Sequence, residues 1–234
     1  MDLSRAGAIA ALLALSLASP VAAGQVSGTV RLTSPAPEKI MIAQDTKTGR
    51  AIEGCGSLSR VSPKLIVGPN GGVQNAVIWL EGSFERRYDG ATDGVALLDQ
   101  QACAFSPHVL VAPQGSTLHV RNSDTVLHNV RLFRESALVW REWQQPHAAD
   151  LAWHLDAPGR YVIRCGVHPW MYAWVISAEH EHYAVSDATG HFTLARVPPG
   201  RHRLHVWHET LGERVEELQV GDDQAVVTIS FEQD

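Results

Sequence analysis

The sequence predicts an all-β protein made of β-sandwiches, and three features support this prediction. Short stretches of alternating apolar and polar residues recur along the chain, which is the period of a strand with one buried face. Turn-forming residues are abundant, with 19 Gly and 12 Pro among 234 residues. The chain is 45% hydrophobic and 19% charged, a composition that supplies a buried core and is not typical of disordered proteins.

The N-terminal residues predict an exported protein. Arg5 precedes an almost continuously apolar stretch at 6–17, and Pro20 is followed by small residues that end at Ala23. This order is typical of a cleaved signal peptide covering 1–23. An uncleaved anchor is the alternative, but the apolar run is short for a membrane span, which needs roughly 20 residues. We therefore expect a periplasmic or otherwise secreted protein without a stable membrane span.

The first half of the mature chain contains few clear strands. Residues 25–32 form the first predicted strand, and the apolar run 76–80 predicts a buried one. Residues 45–72 are rich in Gly, Ser, Pro and Asn, which predicts loops with short strand pieces. Residues 82–95 are polar and predict a surface excursion.

Strands are predicted at short intervals from Val109 onward. Period-2 alternation marks 117–122, 126–133, 160–165 and 171–177, and it places His128 and Cys165 on faces shared with apolar residues. Residues 134–150 have mixed polarity and are where a short helix could form. Four further strands follow at roughly ten-residue spacing, which is typical of a sandwich: 191–195, 201–208, 214–220 and 225–231.

The chemistry of the sequence is concentrated in the segment Cys-Gly-Val-His-Pro-Trp-Met at 165–171. A thiol, an imidazole and a thioether lie close together there, and His128 begins a predicted strand upstream. Two imidazoles and a thiolate in one plane, with a weak axial thioether, form the ligand set of a blue-copper site. Thiolate and thioether favour Cu(I) and imidazole suits Cu(II), so one geometry can serve both oxidation states.

These motifs resemble those of the cupredoxins. Cys-x2-His-x2-Met with Pro after the His is similar to the short ligand loop of amicyanin, and Asn-x-Asp…His-Asn at 122–129 resembles the upstream ligand strand. The resemblance covers about 97–180 and implies a Greek-key sandwich with one copper ion per chain. It makes His128, Cys165 and His168 the equatorial ligands and Met171 the axial one. Asn129 would hydrogen-bond the backbone near the Cys loop and hold it rigid.

Each proposed ligand has a purely structural alternative. Cys165 could be a small buried hydrophobe, His128 a core histidine and Met171 a packing residue. Zinc is a rival metal, since Cys and His also bind it tetrahedrally. Methionine is a poor zinc ligand, and copper binds nitrogen and sulfur sites more tightly in the usual order of affinities.

The three cysteines predict one disulfide and one free thiol in an oxidising compartment. We expect Cys55 to pair with Cys103, because the proposed copper loop explains a free Cys165. The alternative that stays open is that Cys55 and Cys103 are both reduced or both bound to a metal.

Two groups of residues around the ligand loop carry further expectations. Pro169 and Trp170 could form an apolar docking patch at which His168 reaches the surface and passes electrons to a cytochrome or dehydrogenase; ordinary packing is the alternative. His108 could contact the metal or support a ligand, and His180 and His182 could bind copper weakly at the surface.

The C-terminal segment resembles a second family. Asp-x2-Gly-x-Phe at 187–192 and Pro-Pro-Gly at 198–200 are similar to motifs of the carboxypeptidase regulatory-like (transthyretin-like) β-sandwich. The opening Gly-Thr-Val strand of that family occurs at 28–30 instead. We therefore expect 26–82 and 181–234 to form one sandwich, with the cupredoxin-like part inserted; separate pieces are the alternative.

Composition and motifs limit the possible functions. A net charge of -6 argues against a nucleic-acid partner, because phosphate neutralisation needs clustered Lys and Arg. Common enzyme motifs are absent, and a four-ligand copper site has no open position for a substrate, so we expect no enzymatic activity. The leading hypothesis is a periplasmic electron carrier with a type 1 copper. Copper storage, delivery or resistance is the second, and an extracellular binding scaffold with a vestigial metal site is the third.

Overall fold

The computed structural model describes residues 24–36, 41–43, 53–55, 59–84, 95–221 and 223–232. The predicted signal peptide at 1–23 lies outside these residues. Within the described ranges, we find no helix with the length and apolar character that crossing a bilayer demands.

The described chain is built from strands, which confirms the all-β prediction. A single 3-10 turn at Pro69–Gly71 interrupts them in this part of the chain. The strands are β1 (Gly24–Leu32), β2 (Met41–Ala43), β3 (Ser59–Val61), β4 (Val77–Leu80), β5 (Val95–Gln101), β6 (Ala104–Ser106), β7 (Val109–Pro113), β8 (Thr117–Asn122), β9 (His128–Arg134), β10 (Ala137–Gln144), β11 (Leu151–His154), β12 (Gly159–Cys165), β13 (Tyr172–Ala178), β14 (Tyr183–Val185), β15 (His191–Val197), β16 (Gly200–His208), β17 (Gly212–Val220) and β18 (Gln224–Phe231).

Strands from the middle of the chain form what we call the ligand sandwich. One sheet has the order β10-β9-β12-β13-β7 and the other the order β11-β8-β5-β6. Leu118 and Val120 from the smaller sheet share a buried cluster with Val130, Leu132 and Ile163 from the larger one. The predicted alternation therefore produces a core between two sheets, as expected when one face of each strand is apolar.

Strands from both ends of the chain form what we call the terminal sandwich. Its sheets have the orders β15-β1-β18 and β14-β4-β16-β17, and Val26, Leu194, Ile78 and Leu204 are members of its buried cluster. The chain leaves this sandwich after β4 and returns at β14, where the Leu80 N–H donates to the carbonyl of His182 at 3.2 Å. Assignment of this sandwich to the carboxypeptidase regulatory-like family stays a prediction.

The two sandwiches are joined by an apolar contact. Val109 and Ile176 of the ligand sandwich form a buried cluster with Val77 of the terminal sandwich. Aromatic residues from both sides pack against this cluster and include Trp79, Trp174, Tyr183 and Trp207.

One expectation about secondary structure is wrong. The short helix considered for 134–150 is replaced by the strand β10. The mixed polarity there reflects an edge strand, since β10 pairs only with β9 and most of its side chains are exposed. Of the surface excursion predicted at 82–95, residues 85–94 lie outside the described part of the chain, and Val95 begins β5.

Candidate metal centre

The ligand loop follows β12 and is held at both of its ends. The Cys165 N–H donates to the Met171 carbonyl at 3.1 Å, and the Met171 N–H donates to the His168 carbonyl at 2.9 Å. The Gly166 N–H donates to the Asn129 carbonyl of β9 at 2.8 Å. A Cβ at Gly166 would collide with the Asn129 amide oxygen and the Arg131 guanidinium. The glycine therefore lets the loop lie directly against β9.

Three predicted ligands present their donor atoms to one another. The Sγ of Cys165 lies 3.6 Å from the Nδ1 of His128 and 3.6 Å from the Nδ1 of His168, and the two Nδ1 atoms are 3.1 Å apart. A triangle with these sides has a centre about 2.0 Å from each corner, and metal bonds to imidazole nitrogen and thiolate sulfur are roughly 2.0–2.3 Å long. The donor set therefore has the spacing to hold one metal ion.

Asp124 orients His128. Its carboxylate accepts from the Nε2 of His128 at 2.9 Å and from the backbone N–H of Cys103 at 2.9 Å. A hydrogen bond at one ring nitrogen fixes the ring and leaves the other nitrogen to face the ligand. No role was predicted for Asp124 from the sequence. Asp124 nevertheless lies four residues before the proposed ligand His128, within the motif Asn-x-Asp…His-Asn.

The electrostatics of the metal-free site favour a thiolate beside an imidazolium. Burial disfavours the charged form of Cys165, but hydrogen bonds from His128 and His168 outweigh it and lower the pKa of the thiol to about 5. Burial also disfavours charged His128, yet the Asp124 carboxylate and the Cys165 sulfur raise its pKa to about 9. The sulfur is thus in the form that binds metals.

Asn129 supports the loop through its main chain. Its carbonyl accepts from Gly166 and its backbone N–H is directed at the Cys165 sulfur. Its side-chain amide bonds elsewhere: it donates to the Glu142 carbonyl of β10 at 3.2 Å and accepts from Arg131 of its own strand at 2.7 Å. The predicted contact with the Cys loop is present, but the amide group does not make it.

Met171 is buried in the core of the ligand sandwich together with Cys165. Its main chain closes the ligand loop as described above. Ligation by its thioether stays a prediction.

Cys55 and Cys103 form a disulfide, and Cys165 is free and buried. The disulfide covers the outer edge of His168, whose Nε2 lies 3.8 Å from the Sγ of Cys55. The Trp170 ring centroid is 5.3 Å from that of His168, and the indole N–H donates to the Cys103 carbonyl at 3.0 Å.

The expectation that His168 reaches the surface is therefore wrong, because only 4% of it is exposed. Pro169 is exposed and Trp170 half-buried. A docking role for these two residues stays a prediction. The contact between His168 and the disulfide could not be predicted from the sequence, since Cys55 lies more than a hundred residues away along the chain.

Two further groups of donor atoms meet around the disulfide. They combine Cys55 and Cys103 with His168, and Cys103 with Asp124 and His128. A sulfur in a disulfide has no thiolate to offer a metal. The group of His128, Cys165 and His168 is the one with a free thiol.

A buried amide cluster supports the turn that leads to His128. Gln100 donates to the side-chain oxygen of Gln144 at 2.7 Å, and Gln144 donates to the Val120 carbonyl at 2.9 Å. Asn122 donates to the Val126 carbonyl at 3.0 Å. These hydrogen bonds hold one backbone arrangement beside the site.

The remaining histidines considered earlier serve other contacts. His108 pairs with Glu209, which also accepts from the Tyr172 hydroxyl at 3.0 Å. His180 and His182 are buried, so the expectation of weak copper binding at the surface is wrong for both.

Comparison with known proteins gives structural neighbours only. No protein-family model matches the chain, and no curated protein matches it in sequence. A purple cupredoxin from Nitrosopumilus maritimus is 21% identical, with 36% of this chain and 99% of that chain covered and a TM-score of 0.32. A reduced amicyanin variant is 18% identical, with 43% and 98% covered and a TM-score of 0.34.

A copper-containing nitrite reductase from Thermus scotoductus is also similar. It is 22% identical, with 36% of this chain covered and a TM-score of 0.31. This chain spans 22% of that protein's length. At these identities the likeness concerns the fold alone.

Proposed function

We propose that the protein binds one copper ion per chain at His128, Cys165 and His168, with Met171 as the axial ligand. In this proposal it is an exported electron carrier with a type 1 copper, and its partner is a redox protein such as a cytochrome or dehydrogenase. The observation that carries the proposal is the triangle of one sulfur and two Nδ1 atoms, whose centre suits a single metal ion.

The donor chemistry favours copper over zinc. Thiolate and thioether donors favour Cu(I) and imidazoles suit Cu(II), whereas a methionine thioether is a poor ligand for zinc. Bound copper would supply a one-electron couple. The residues of the chain would position the donor atoms. Asp124 fixes the His128 ring, and the hydrogen bonds of the 165–171 loop hold Cys165 and His168 in place.

Burial of the donors favours binding and electron transfer over catalysis. His128, Cys165 and His168 are 0%, 5% and 4% exposed, so a substrate has little access to an ion held among them. The disulfide between Cys55 and Cys103 suits an oxidising compartment, which supports export to the periplasm or the cell exterior.

The test is the visible spectrum of purified protein after one equivalent of Cu(II) is added. We expect an intense sulfur-to-copper charge-transfer band, and Cys165→Ser should abolish it while near-UV circular dichroism shows an intact fold. Wild-type protein that binds Cu(II) without this band would reject a type 1 site.

One observation favours a second function, the storage or delivery of copper. His168 is enclosed by the disulfide and Trp170, and an enclosed ligand slows electron exchange with a partner but does not weaken retention of the metal. A reversible potential with rapid self-exchange supports the carrier, whereas tight Cu(I) binding without reversible oxidation supports storage.

A further inference from the structure

Three arginines lie side by side on the larger sheet of the ligand sandwich. Arg141 of β10 and Arg164 of β12 are both direct cross-strand partners of Arg131 in β9. Directly opposed residues of an antiparallel pair point to the same face of the sheet, and neighbouring strands are about 4.8 Å apart. The outer two positions of what we call the arginine row are therefore about 10 Å apart.

The arginine row faces away from the core. The residues on either side of Arg131 and Arg164 belong to the buried cluster of the ligand sandwich, and successive residues of a strand point to opposite faces. Arg141 and Arg164 are exposed and Arg131 is half-buried. The terminal sandwich packs against this sheet at β7 and β13, so the row on β10, β9 and β12 stays accessible to solvent.

The row carries positive charge without a carboxylate partner. Among the described residues, no acidic side chain forms an ion pair with any of the three arginines, and Arg131 donates to the Asn129 amide oxygen at 2.7 Å. Like charges directly opposite each other destabilise a sheet. The row is therefore unfavourable in the free protein and attracts an anionic group. Other arginines do have a carboxylate oxygen within 3.3 Å, namely Arg121, Arg160, Arg196, Arg201 and Arg203.

Two acidic residues close to the row do not neutralise it. Glu142 follows Arg141 in β10 and points to the opposite face by strand alternation. Glu209 accepts from the hydroxyl of Tyr172, at the end of the row, but it is paired with His108. The charge of the row is therefore available to a binding partner.

An exposed tryptophan and the ligand loop flank the row. Trp143 lies two residues after Arg141, on the same face of β10, and is 60% exposed. The Arg131 guanidinium lies against Gly166 of the ligand loop, since a Cβ at Gly166 would be 2.6 Å from its Cζ. Val167, the next residue of the loop, is 42% exposed. Arginine and tryptophan are enriched among the residues that dominate protein–protein binding, so this surface has the composition of a protein interface.

We propose that the arginine row binds a carboxylate-rich surface of an acidic redox protein. Guanidinium groups bind carboxylates through paired hydrogen bonds, and Trp143 would add an apolar contact. Nucleic acids and anionic membranes are less suitable partners, because the chain has a net charge of -6 and repels an extended polyanion outside the row.

The inference rests on the proposed function in one respect, the redox character of the partner. Arg164 directly precedes the proposed ligand Cys165, so a protein bound at the row lies beside the candidate metal centre. Binding of carboxylates to the row itself needs no metal. The two proposals can therefore fail separately.

The first test measures the binding of a fluorescein-labelled hexaglutamate peptide to the purified protein without added copper. Fluorescence anisotropy is recorded at an ionic strength of about 20 mM, where exposed charges are only weakly screened. We expect Arg141→Gln with Arg164→Gln to weaken binding about tenfold, since two exposed charge contacts are lost. An ionic strength of about 0.5 M should weaken binding to the wild type more than binding to this variant.

The matched control is Arg201→Gln with Arg203→Gln. It removes the same charge from exposed arginines of β16 that are already paired with Glu217 and Glu81, and it should bind the peptide like the wild type. Arg131 is kept in every variant, because it contacts the ligand loop. Urea denaturation should show that the row variant is at least as stable as the wild type, since repulsion between like charges is relieved.

The second test uses the copper-loaded protein and one-electron oxidants of opposite charge. The reduced protein gives one electron from Cu(I) either to hexacyanoferrate(III), an anion that becomes hexacyanoferrate(II), or to tris(phenanthroline)cobalt(III), a cation that becomes the cobalt(II) complex. The row variant should react several-fold more slowly with the anion and should not lose rate with the cation, because the row attracts negative charge. Stopped-flow absorbance measures both rates.

Three results would overturn the inference. These are no binding of hexaglutamate to the wild type at about 1 mM, equal binding by the row variant and the wild type, and sedimentation with anionic phospholipid vesicles that is lost in the row variant. The last result would assign the row to a membrane. A protein that binds the peptide but lacks the sulfur-to-copper band would instead refute the proposed function and leave the binding surface supported.

Discussion

The two sandwiches both bury histidines, but in different surroundings. His128 and His168 of the ligand sandwich direct their Nδ1 atoms toward each other and toward the Cys165 sulfur. In the terminal sandwich, burial lowers the pKa of His180 and His182. The rings of His180 and His182 are 5.7 Å apart, and His180 is bonded to the Leu80 carbonyl at 3.1 Å.

This difference shows what distinguishes the proposed ligand histidines from packing histidines. The four histidines are buried to nearly the same extent, so burial does not distinguish the two pairs. The ligand histidines share a free thiol and one of them has a buried carboxylate behind it, whereas the others are neutral rings bonded to the backbone. Each prediction below tests one part of this comparison.

The largest expected effect is on copper affinity. His168→Ala should weaken Cu(II) binding by more than about a hundredfold, because removal of a direct ligand costs more than the 10–100-fold typical of its supporting residues. Competition with a chelator of known affinity measures the change. The matched control is His180→Ala, also a buried histidine, which should bind copper like the wild type. Equal losses in both variants would mean that burial alone determines the effect.

The disulfide should contribute stability to the ligand sandwich. Its cysteines are 48 residues apart, and closing a loop of this length stabilises the folded state by about 4 kcal/mol in the chain-entropy model. Cys55→Ala with Cys103→Ala should lower the free energy of unfolding by this amount, as measured by urea denaturation.

The same double variant removes the two sulfur atoms beside His168 and should accelerate electron self-exchange of the copper-loaded protein. An unchanged self-exchange rate would show that the disulfide does not limit electron transfer.

Acid should destabilise the terminal sandwich through His208. Burial lowers the pKa of this histidine to about 4, and the backbone N–H groups of Thr210 and Leu211 donate to its Nδ1. The unfolded chain takes up the proton near pH 6.5, whereas the folded chain does so near pH 4. The free energy of unfolding should therefore fall as the pH decreases through this window, by up to about 3 kcal/mol.

His208→Phe should flatten that pH dependence. Chemical denaturation at several pH values between 6.5 and 4 measures the slope. Two neighbouring residues also act on the pKa of His208: the Glu209 carboxylate raises it and His108 lowers it. Both residues are kept in the variant, so that only the His208 side chain differs from the wild type. His191→Asn, at an exposed position, is the control and should keep the wild-type slope. A wild-type slope in His208→Phe would assign the acid sensitivity to other groups.

The smallest expected effect is at Met171. Met171→Gln should retain copper and change the reduction potential by more than about 60 mV, equivalent to tenfold in a one-electron equilibrium. Cyclic voltammetry of the copper-loaded variant measures the shift. Loss of all copper binding, or an unchanged potential, would contradict an axial role for its thioether.

The sequence predicted what depends on local spacing. Cys165 and His168 are separated by only two residues in one short loop, so their convergence followed from local spacing, and period-2 alternation located β8, β9 and β12. These two features are set by neighbouring residues. Pairing of Cys55 with Cys103 was predicted by elimination, because the proposed copper loop accounts for Cys165 and leaves the other two cysteines.

Features that depend on tertiary packing were missed. Because β10 is an edge strand with most of its side chains exposed, its sequence does not alternate between apolar and polar residues. The sequence was therefore compatible with a helix or a loop. The contact of Asp124 with His128 spans only four residues, and it was missed although it is local. The disulfide lies beside His168 although Cys55 and His168 are 113 residues apart along the chain. Burial of His180 and His182 likewise depends on the terminal sandwich, which no local pattern around Glu181 indicates.

The hydrogen bond from Leu80 to His182 has a consequence for the architecture of the whole chain. About a hundred residues, including every proposed copper ligand, lie between the ends of β4 and β14, and these two strands also pair as antiparallel neighbours. Two strand ends that lie so close together can be connected by a tight turn instead. Replacement of the inserted segment by such a turn should therefore leave the sheets of the terminal sandwich intact.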